Sequence, residues 1–235
     1  KQYNYYREQL LSFEEGNVEW KTLGEVCNVL RGKRLTKKDL ADNYQYPVFH
    51  GGLIPLGKYN KCNRKANQTM VINTGSVGEV VWSPVDFWSS DGTFTIETSN
   101  ILSDRFTYFY LKGKEAFFKS QKREGGVPTI DRETIERISI PIPPLPIQKE
   151  IVAILDKFTQ LEAELEARKK QYEYYRNKLL TPVEVNGKWI LNGKEVKWKT
   201  LWEVCLKTDN IKWKECKEKV FKYIDLSSVN RLNNK

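Results

Sequence analysis

Few side chains in this 235-residue sequence could form a reaction centre, and their spacing fits none of the common ones. The run Ser89-Ser90-Asp91 has no general base nearer than His50, the single histidine, so we do not predict a hydrolytic triad. The four cysteines form no CxxC pair and no metal-ligand spacing. The glycines of GSVGEV (75–80) lack the strand–GxGxxG–helix context of a dinucleotide site, and no GxxxxGK(S/T) loop occurs. The sequence therefore predicts binding surfaces without catalytic residues, and neither a metal nor a cofactor in this chain.

The charged residues, in contrast, are numerous and unevenly distributed. Lys and Arg number 39 against 30 Asp and Glu, which gives a formal net charge of +9 and an isoelectric point near 9.2. Residues 31–65 hold nine basic and two acidic side chains, residues 66–104 five acidic and no basic ones, and residues 105–123 six basic and one acidic. This segregation is typical of a protein with one face against a polyanion, although a clustered, solvated surface would give the same counts.

Two repeated segments indicate the domain organisation. KQYNYYREQLL (1–11) recurs as KQYEYYRNKLL (170–180) with eight identities in eleven, and VEWKTLGEVC (18–27) recurs as VKWKTLWEVC (196–205) with eight in ten. Repeats spaced by about 170 to 180 residues are too far apart for a solenoid and indicate tandem copies of a whole module. We therefore expect a fragment or truncated form of a longer two-module protein. The predicted parts are a helix tail over 1–16, a complete domain over 17–147, a long helix over 148–180, and a linker with the incomplete start of a second domain over 181–235.

The complete domain has the pattern of a mixed fold. Residues 44–104 contain short runs of β-branched and aromatic residues punctuated by glycine, which predict β-strands. Five of the six aromatic residues in 105–120 recur at helix-like intervals, and ETIERISIPI predicts a short helix followed by a strand. The run PIPPLP then interrupts regular structure. The predicted fold class is α+β, a mixed α/β domain followed by a long coiled-coil α-helix.

The clearest periodicity lies between Gln148 and Leu180, where seam residues recur at alternating spacings of three and four. About 33 helical residues at ~1.5 Å each would span roughly 50 Å. Because such a seam is satisfied only against another helix, we predict a helical partner, with the copy at 1–11 as the stub of an equivalent helix. The predicted helix-pairing residues are Ile151, Ile154, Phe158, Leu161, Leu165, Arg168, Tyr172, Tyr175 and Leu179, of which only Arg168 is charged.

Several of these segments together resemble the specificity (S) subunit of type I restriction-modification systems. They are EWKTLGEVCNVLRGKRL, YPVFHGG, GSVGEVVW, SSDGTFTI and the stretch from GGVPTID to the end of the long helix, in which IPxPPLxxQ is the most specific pattern. The resemblance covers Trp20–Leu180 well. It implies a non-catalytic target-recognition domain that reads one half of a bipartite sequence in double-stranded DNA. It also implies a helix that pairs antiparallel with another and docks methyltransferase (M) subunits.

The same resemblance implies which partners supply the chemistry. S-adenosylmethionine and ATP would be held by partner subunits, and a restriction (R) subunit would join the full complex. Lys and Arg can bind DNA phosphates without specifying sequence, whereas Arg suits guanine and Asn suits adenine in the major groove. The predicted DNA-binding residues are Arg31, Lys33, Arg34, Lys37, Lys38, Lys58, Asn60, Lys61, Asn63, Arg64, Lys65, Lys122 and Arg123.

Two other functions remain open from the residues. The seam would also suit a helix-mediated assembly module, in which a truncated subunit forms a self-dimer through the long helix and has no independent DNA-binding function. A basic RNA-binding module has less support, because no RNP-type aromatic pair and no Arg/Gly run occurs. No apolar run approaches the roughly 20 residues of a membrane span and no signal peptide begins the sequence, so we predict a cytoplasmic protein without a membrane partner.

Overall fold

The computed structural model describes residues 2–14, 16, 18–121 and 128–205, and the chain divides into two compact units, residues 1–170 and 171–235. The elements of the first unit follow in two lists. The helices are α1 (Gln2–Leu11), α2 (Leu23–Val26), α3 (Asp104–Gly113), α4 (Glu115–Ser120), α5 (Arg132–Glu136) and α6 (Leu145–Leu180), the last of which continues into the second unit. The strands are β1 (Glu19–Thr22), β2 (Cys27–Arg31), β3 (Tyr46–Phe49), β4 (Gly57–Tyr59), β5 (Gln68–Ile72), β6 (Val80–Ser83), β7 (Trp88–Ser89), β8 (Thr93–Thr98) and β9 (Ser139–Ile142).

The main sheet has the order β2-β8-β5-β6, with every neighbouring pair antiparallel. Its apolar residues are buried because α3 packs across β5 and β6 and contributes Phe106, Phe109 and Leu111 to the core. The helix predicted over 105–120 is thus confirmed, although it is divided at Lys114 into α3 and α4. The strands predicted over 44–104 and the mixed α/β class are confirmed as well.

A second, smaller sheet lies beside the main one and has the order β4-β3-β7. Strand β3 is antiparallel to β4 and parallel to β7. Its own core contains Phe49, Met70 and Phe87, and the rings of Phe49 and Phe87 meet edge to face at 5.7 Å. This sheet matters for the site because β3, β4 and β7 carry or contact most of the predicted basic surface.

The long helix α6 begins at Leu145, three residues earlier than predicted. Pro146 is tolerated there because the first helical turn has no intrahelical acceptor for its N–H groups. The next turns bury Gln148, Ile151 and Leu155 against the domain. The side chain of Gln148 is fully buried and makes three hydrogen bonds to backbone groups, so it fastens the start of the helix to the domain.

Two further contacts hold helices to this domain. The Arg105 guanidinium on α3 donates two hydrogen bonds to Asp156 on α6 and lies over the ring of Trp82. Helix α1 is shorter than the predicted tail over 1–16, and its Tyr6 ring stacks on Phe158 of α6 at 5.2 Å. The N-terminal copy of the repeat is therefore a helix packed on the domain, and its assignment as the stub of an equivalent long helix stays a prediction.

The second unit contains strands that the sequence analysis missed. These are β10 (Val183–Val185), β11 (Lys188–Leu191) and β12 (Lys194–Glu195), which form an antiparallel meander and precede α7 (Leu201–Val204). Both turns are Asn-Gly pairs in the left-handed region, Asn186-Gly187 and Asn192-Gly193. In α7 the Glu203 carboxylate accepts from Thr200 N, as Glu25 does from Thr22 N in α2, so the repeated sequence keeps its helix cap. Most of the predicted second domain lies outside the described residues.

Candidate nucleic-acid interface

Residues 33–41, here called the basic segment, follow β2 and carry four of the predicted DNA-binding side chains. The backbone at Lys33 is held on both sides: its N–H donates to Ser89 O (2.9 Å), and its carbonyl accepts from Trp88 Nε1 (2.7 Å). The Leu35 N–H donates to Ser90 Oγ at 3.4 Å. The partners lie some 55 residues along the chain. The basic segment is therefore fixed by β7, while its cationic side chains are exposed.

A short 3-10 turn at Lys37–Asp39 presents two of these cations. The Asp39 carboxylate accepts hydrogen bonds from Thr36 Oγ1 (2.7 Å) and Thr36 N (2.8 Å). These bonds lower the pKa of Asp39 below its ordinary value and keep the carboxylate turned to the start of the turn. The segment is then joined to β4, since Ala41 N donates to Lys58 O at 3.1 Å. Lys37, Lys38 and Lys58 thus belong to one connected surface.

Nine of the thirteen predicted DNA-binding side chains are exposed. Among the described residues only one of the nine forms an ion pair, Lys65 with Asp86 at 3.5 Å. Asp86 also accepts from Ala66 N, which is the main cause of its lowered pKa. The remaining charges have no carboxylate partner in the described chain, so this surface attracts anions. The nine are Arg31, Lys33, Arg34, Lys37, Lys38, Lys58, Asn60, Lys61 and Lys65.

Two predicted residues, Asn63 and Arg64, turn inward instead. The Asn63 amide bonds to both backbone groups of Ser89, at 2.9 and 2.7 Å. The Arg64 guanidinium donates to Asn63 O (2.8 Å) and Arg31 O (3.1 Å), and burial lowers the pKa of Arg64 below its ordinary value. These side chains hold the loop after β4 against β7 and β2. Their predicted contact with DNA stays a prediction.

Three of the four described basic residues of 105–123 form ion pairs within the protein. Lys112 pairs with Glu115 at 2.6 Å, Lys119 pairs with Glu79, and Arg105 pairs with Asp156. The pairs of Lys119 and Arg105 reach carboxylates outside the segment, so they reduce the excess of positive charge counted there. The two predicted site residues of the segment, Lys122 and Arg123, lie outside the described residues.

The residues of the rejected hydrolytic triad meet at the edge of this surface. His50 Nδ1 lies 3.2 Å from Ser90 Oγ and 3.3 Å from Asp91 Oδ1, and Ser90 Oγ donates to the same Asp91 oxygen at 3.0 Å. In a triad the imidazole stands between the serine and the carboxylate and uses one nitrogen for each. Here both groups face one nitrogen, so the cluster ties β3 to the turn before β8. Among the described residues no group of three or more His, Cys, Asp and Glu side chains is placed to hold a metal.

The predicted helix-pairing seam divides between covered and open residues. Ile151 is buried in the domain core, and Phe158 is half-buried under Tyr6, so both are occupied within the first unit. Arg168 pairs with Glu164 on its own helix. The open part of the seam consists of Ile154, Leu161, Leu165, Tyr172, Tyr175 and Leu179, all exposed.

Comparison with known proteins identifies the family. A family model described as "Type I restriction modification DNA specificity domain" matches residues 15–172. The chain belongs to this family. A specificity-domain relative, the EcoR124I/EcoR124II specificity subunit of the type I restriction enzyme from Escherichia coli, is 32% identical over 213 residues, which cover 77% of this chain and 52% of the relative. The chain thus spans about half the length of that relative.

Solved structures of specificity subunits have the same fold. The type I restriction-modification S subunit from M. genitalium has a TM-score of 0.56 at 22% identity and covers 72% of this chain and 48% of its own. The HsdS subunit from Thermoanaerobacter tengcongensis has a TM-score of 0.57 at 19% identity, covering 71% and 44%. The α+β domain with a long helix is therefore the fold of this specificity-domain family. Within the described residues, no helix combines the length and apolar character needed to cross a membrane.

Proposed function

We propose that this chain recognises one half of a bipartite site in double-stranded DNA, as the specificity subunit of a type I restriction-modification complex. The observation that carries the proposal is the basic surface on β2, β4 and the basic segment, whose cations have almost no carboxylate partners among the described residues. Membership of the DNA specificity family supports the same conclusion.

The geometry suggests a division of labour on this surface. Lys33, Lys37 and Lys38 stand on backbone that β7 and the 3-10 turn hold in place, so phosphate contacts need little ordering of the chain. Such contacts position a duplex without reading it. Arg34 and Asn60 are exposed beside them and carry the donor groups that suit guanine and adenine edges. Methylation and cleavage would belong to M and R subunits that hold S-adenosylmethionine and ATP, and this chain would not be an enzyme.

Salt dependence of duplex binding tests the proposal. If about five cations reach phosphates, the logarithm of the binding constant should fall with the logarithm of salt concentration at a slope near −4.5. Fluorescence anisotropy of a labelled duplex between about 50 and 200 mM salt measures this slope. A slope near zero would refute phosphate binding by this surface.

Paired variants test the division of labour. Lys33→Ala should weaken all duplexes alike and reduce the slope by about 1, whereas Arg34→Ala should relax selectivity at one base pair. Lys169→Ala is the matched control, because Lys169 lies on α6 and already pairs with Glu166. If Lys33→Ala and Arg34→Ala lose affinity in the same sequence-blind manner, the assignment of Arg34 to base reading is wrong.

The open part of the seam favours helix pairing as a second function of the chain. The proposal also includes docking of M subunits through α6. A helix that exposes Ile154, Leu161 and Leu165 on one side needs an apolar partner in the assembled complex. Sedimentation of the chain with and without duplex separates the alternatives. A dimer that binds DNA supports recognition through paired helices, whereas a self-associating chain indifferent to DNA would support the assembly module. Co-expression with a cognate M subunit and mapping of methylated bases would then identify the site.

A further inference from the structure

The loop between β3 and β4 ends in four consecutive apolar residues, Leu53, Ile54, Pro55 and Leu56, here called the apolar tip. The exposed fractions are 52% for Leu53, 79% for Ile54 and 44% for Leu56. Single exposed apolar residues are ordinary on protein surfaces, whereas contiguous ones more often mark a contact site. No described residue covers the apolar tip, so the chemistry of the residues around it indicates which partner it would contact.

The apolar tip stands on a firmly held base. On one side, Gly51 O accepts from Ser76 N at 2.8 Å, and a Cβ on Gly51 would lie 2.5 Å from Thr74 O, so no larger residue fits. On the other side, Leu56 N donates to Val48 O at 2.8 Å, which continues the pairing of β3 with β4. The tip is therefore held out from the surface by paired strands.

The basic segment lies against both ends of the loop that carries the apolar tip. The basic segment reaches one side through Ser90, whose hydroxyl contacts both Leu35 N and His50 Nδ1. It reaches the other side through Leu40, which packs against Gly57, and through the hydrogen bond from Ala41 to Lys58. The sequence between Asp42 and Glu79 contains no acidic residue. Near the start of the loop, the Asp91 carboxylate faces His50.

An exposed apolar loop beside a basic segment matches the two surfaces of duplex DNA. The cations suit the phosphates, and the apolar side chains suit the base edges between them, where the C5-methyl group of thymine is the apolar group of the major groove. We propose that the apolar tip enters a groove of the duplex and that Ile54 contacts a thymine methyl, which makes it a specificity-determining contact. This inference rests on the proposed function and adds an apolar contact with a base, which polar side chains do not supply.

Selection from a random duplex library tests the proposal with the full chain. The wild type should enrich a sequence with a preferred thymine, and Ile54→Ser should lose that preference while keeping the others and the same salt slope. In a defined duplex, replacing that thymine by deoxyuridine removes only the methyl group. We expect this to weaken wild-type binding about 3- to 10-fold, as for one buried methyl, and to leave Ile54→Ser unaffected.

Controls separate this contact from general surface effects. Ile101→Ser is the matched variant, because Ile101 is also exposed but lies after the C-terminal end of β8, outside the loop that carries the apolar tip. This variant should bind like the wild type. The urea midpoint of Ile54→Ser should equal that of the wild type, since its side chain contributes little to the core.

Three results would overturn the proposal. Ile54→Ser could retain every base preference of the wild type, or deoxyuridine could weaken both proteins equally. Alternatively, Ile54→Ser could change the sedimenting mass while its base preferences stay intact, which would assign the apolar tip to a protein contact. If the wild type itself enriches no sequence, DNA reading by this chain fails as a whole, and that outcome is distinct from a failure of Ile54 alone.

Discussion

Replacement of Gln148 by glutamate tests how the long helix is fastened to the recognition domain. In the wild type, Gln148 Oε1 accepts from Ser103 N (2.7 Å), while Nε2 donates to Ile101 O (2.9 Å) and Pro143 O (2.8 Å). The side chain is 0% exposed. A glutamate carboxylate would keep the acceptor but would present a negative oxygen to two carbonyl oxygens.

The size of the effect should depend on pH in a defined direction. Burial and the two facing carbonyls should raise the pKa of the new carboxyl in the folded state by about 3 to 5 units over its unfolded value near 4.3. A raised pKa means that the stability is fully present below the unfolded value and is lost as pH rises through the folded value. Relative to wild type, Gln148→Glu should therefore cost about 1 kcal/mol at low pH, for one lost hydrogen bond. Each pH unit between the unfolded and the folded pKa adds ~1.4 kcal/mol to this cost. Above the folded pKa the added cost is therefore about 4 to 7 kcal/mol.

Urea unfolding followed by tryptophan fluorescence at pH 5 and pH 8 measures this difference. Gln148→Met is the control: it leaves three backbone groups unpaired and should cost about 2 to 4 kcal/mol at both pH values, because it introduces no titrating group. The reasoning is refuted if the penalty of Gln148→Glu changes by less than about 0.5 kcal/mol between the two pH values. Over this range the unfolded carboxyl is ionised while the buried carboxyl keeps its proton, so the penalty must grow with pH. Equal penalties for the two variants at pH 8 would show that the carbonyls of Ile101 and Pro143 relax away.

Two further predictions concern the same domain, and a third compares it with the second unit. Arg105→Met should destabilise the domain by about 1 to 3 kcal/mol in urea unfolding, because it removes the hydrogen bonds to Asp156; a loss below about 0.5 kcal/mol would contradict this. Burial raises the pKa of Cys27 from 9.0 to about 12, so stability should fall as pH rises through that range. At pH 10.5 the wild type should lose about 2 kcal/mol more than Cys27→Ala. Iodoacetamide at pH 8 should modify the exposed Cys205 and spare Cys27, as mass spectrometry would show.

Much of the fold could be predicted because its signals are local. The aromatic spacing of α3 and the glycine-punctuated strands depend on residues within one turn or one strand. The strands of the second unit were missed although Asn186-Gly187 and Asn192-Gly193 are the strongest short-range hairpin signal, so that signal was available. The periodicity predicts the position of α6 but not its start at Leu145, because the run PIPPLP indicates an interruption, whereas proline fits the first turn of a helix.

The orientation of the site residues depends on contacts that no local pattern contains. Asn63 and Arg64 have the chemistry of base readers, yet their side chains bond to backbone groups of Ser89 and Arg31, 26 and 33 residues away. Likewise, charge counting could not show that Lys119 pairs with Glu79, 40 residues earlier. Residue type predicts which groups can bind DNA, whereas long-range pairing decides which of them remain on the surface.

The contacts that fix this domain also restrict how it could read DNA. The basic segment is held by Trp88 and Ser89, and the start of α6 is held by Gln148 within the same domain. The proposed DNA-binding surface and a helix start that are both fastened to one core cannot shift independently without breaking buried hydrogen bonds. The proposed reading of a bipartite site requires such a fixed relation, since half-site spacing is a geometric quantity set by the protein. Loosening the contacts of Gln148 should therefore widen the range of half-site spacings that the protein tolerates, while the half-site sequence stays unchanged. Such a result would show that different parts of the protein set the spacing and the sequence.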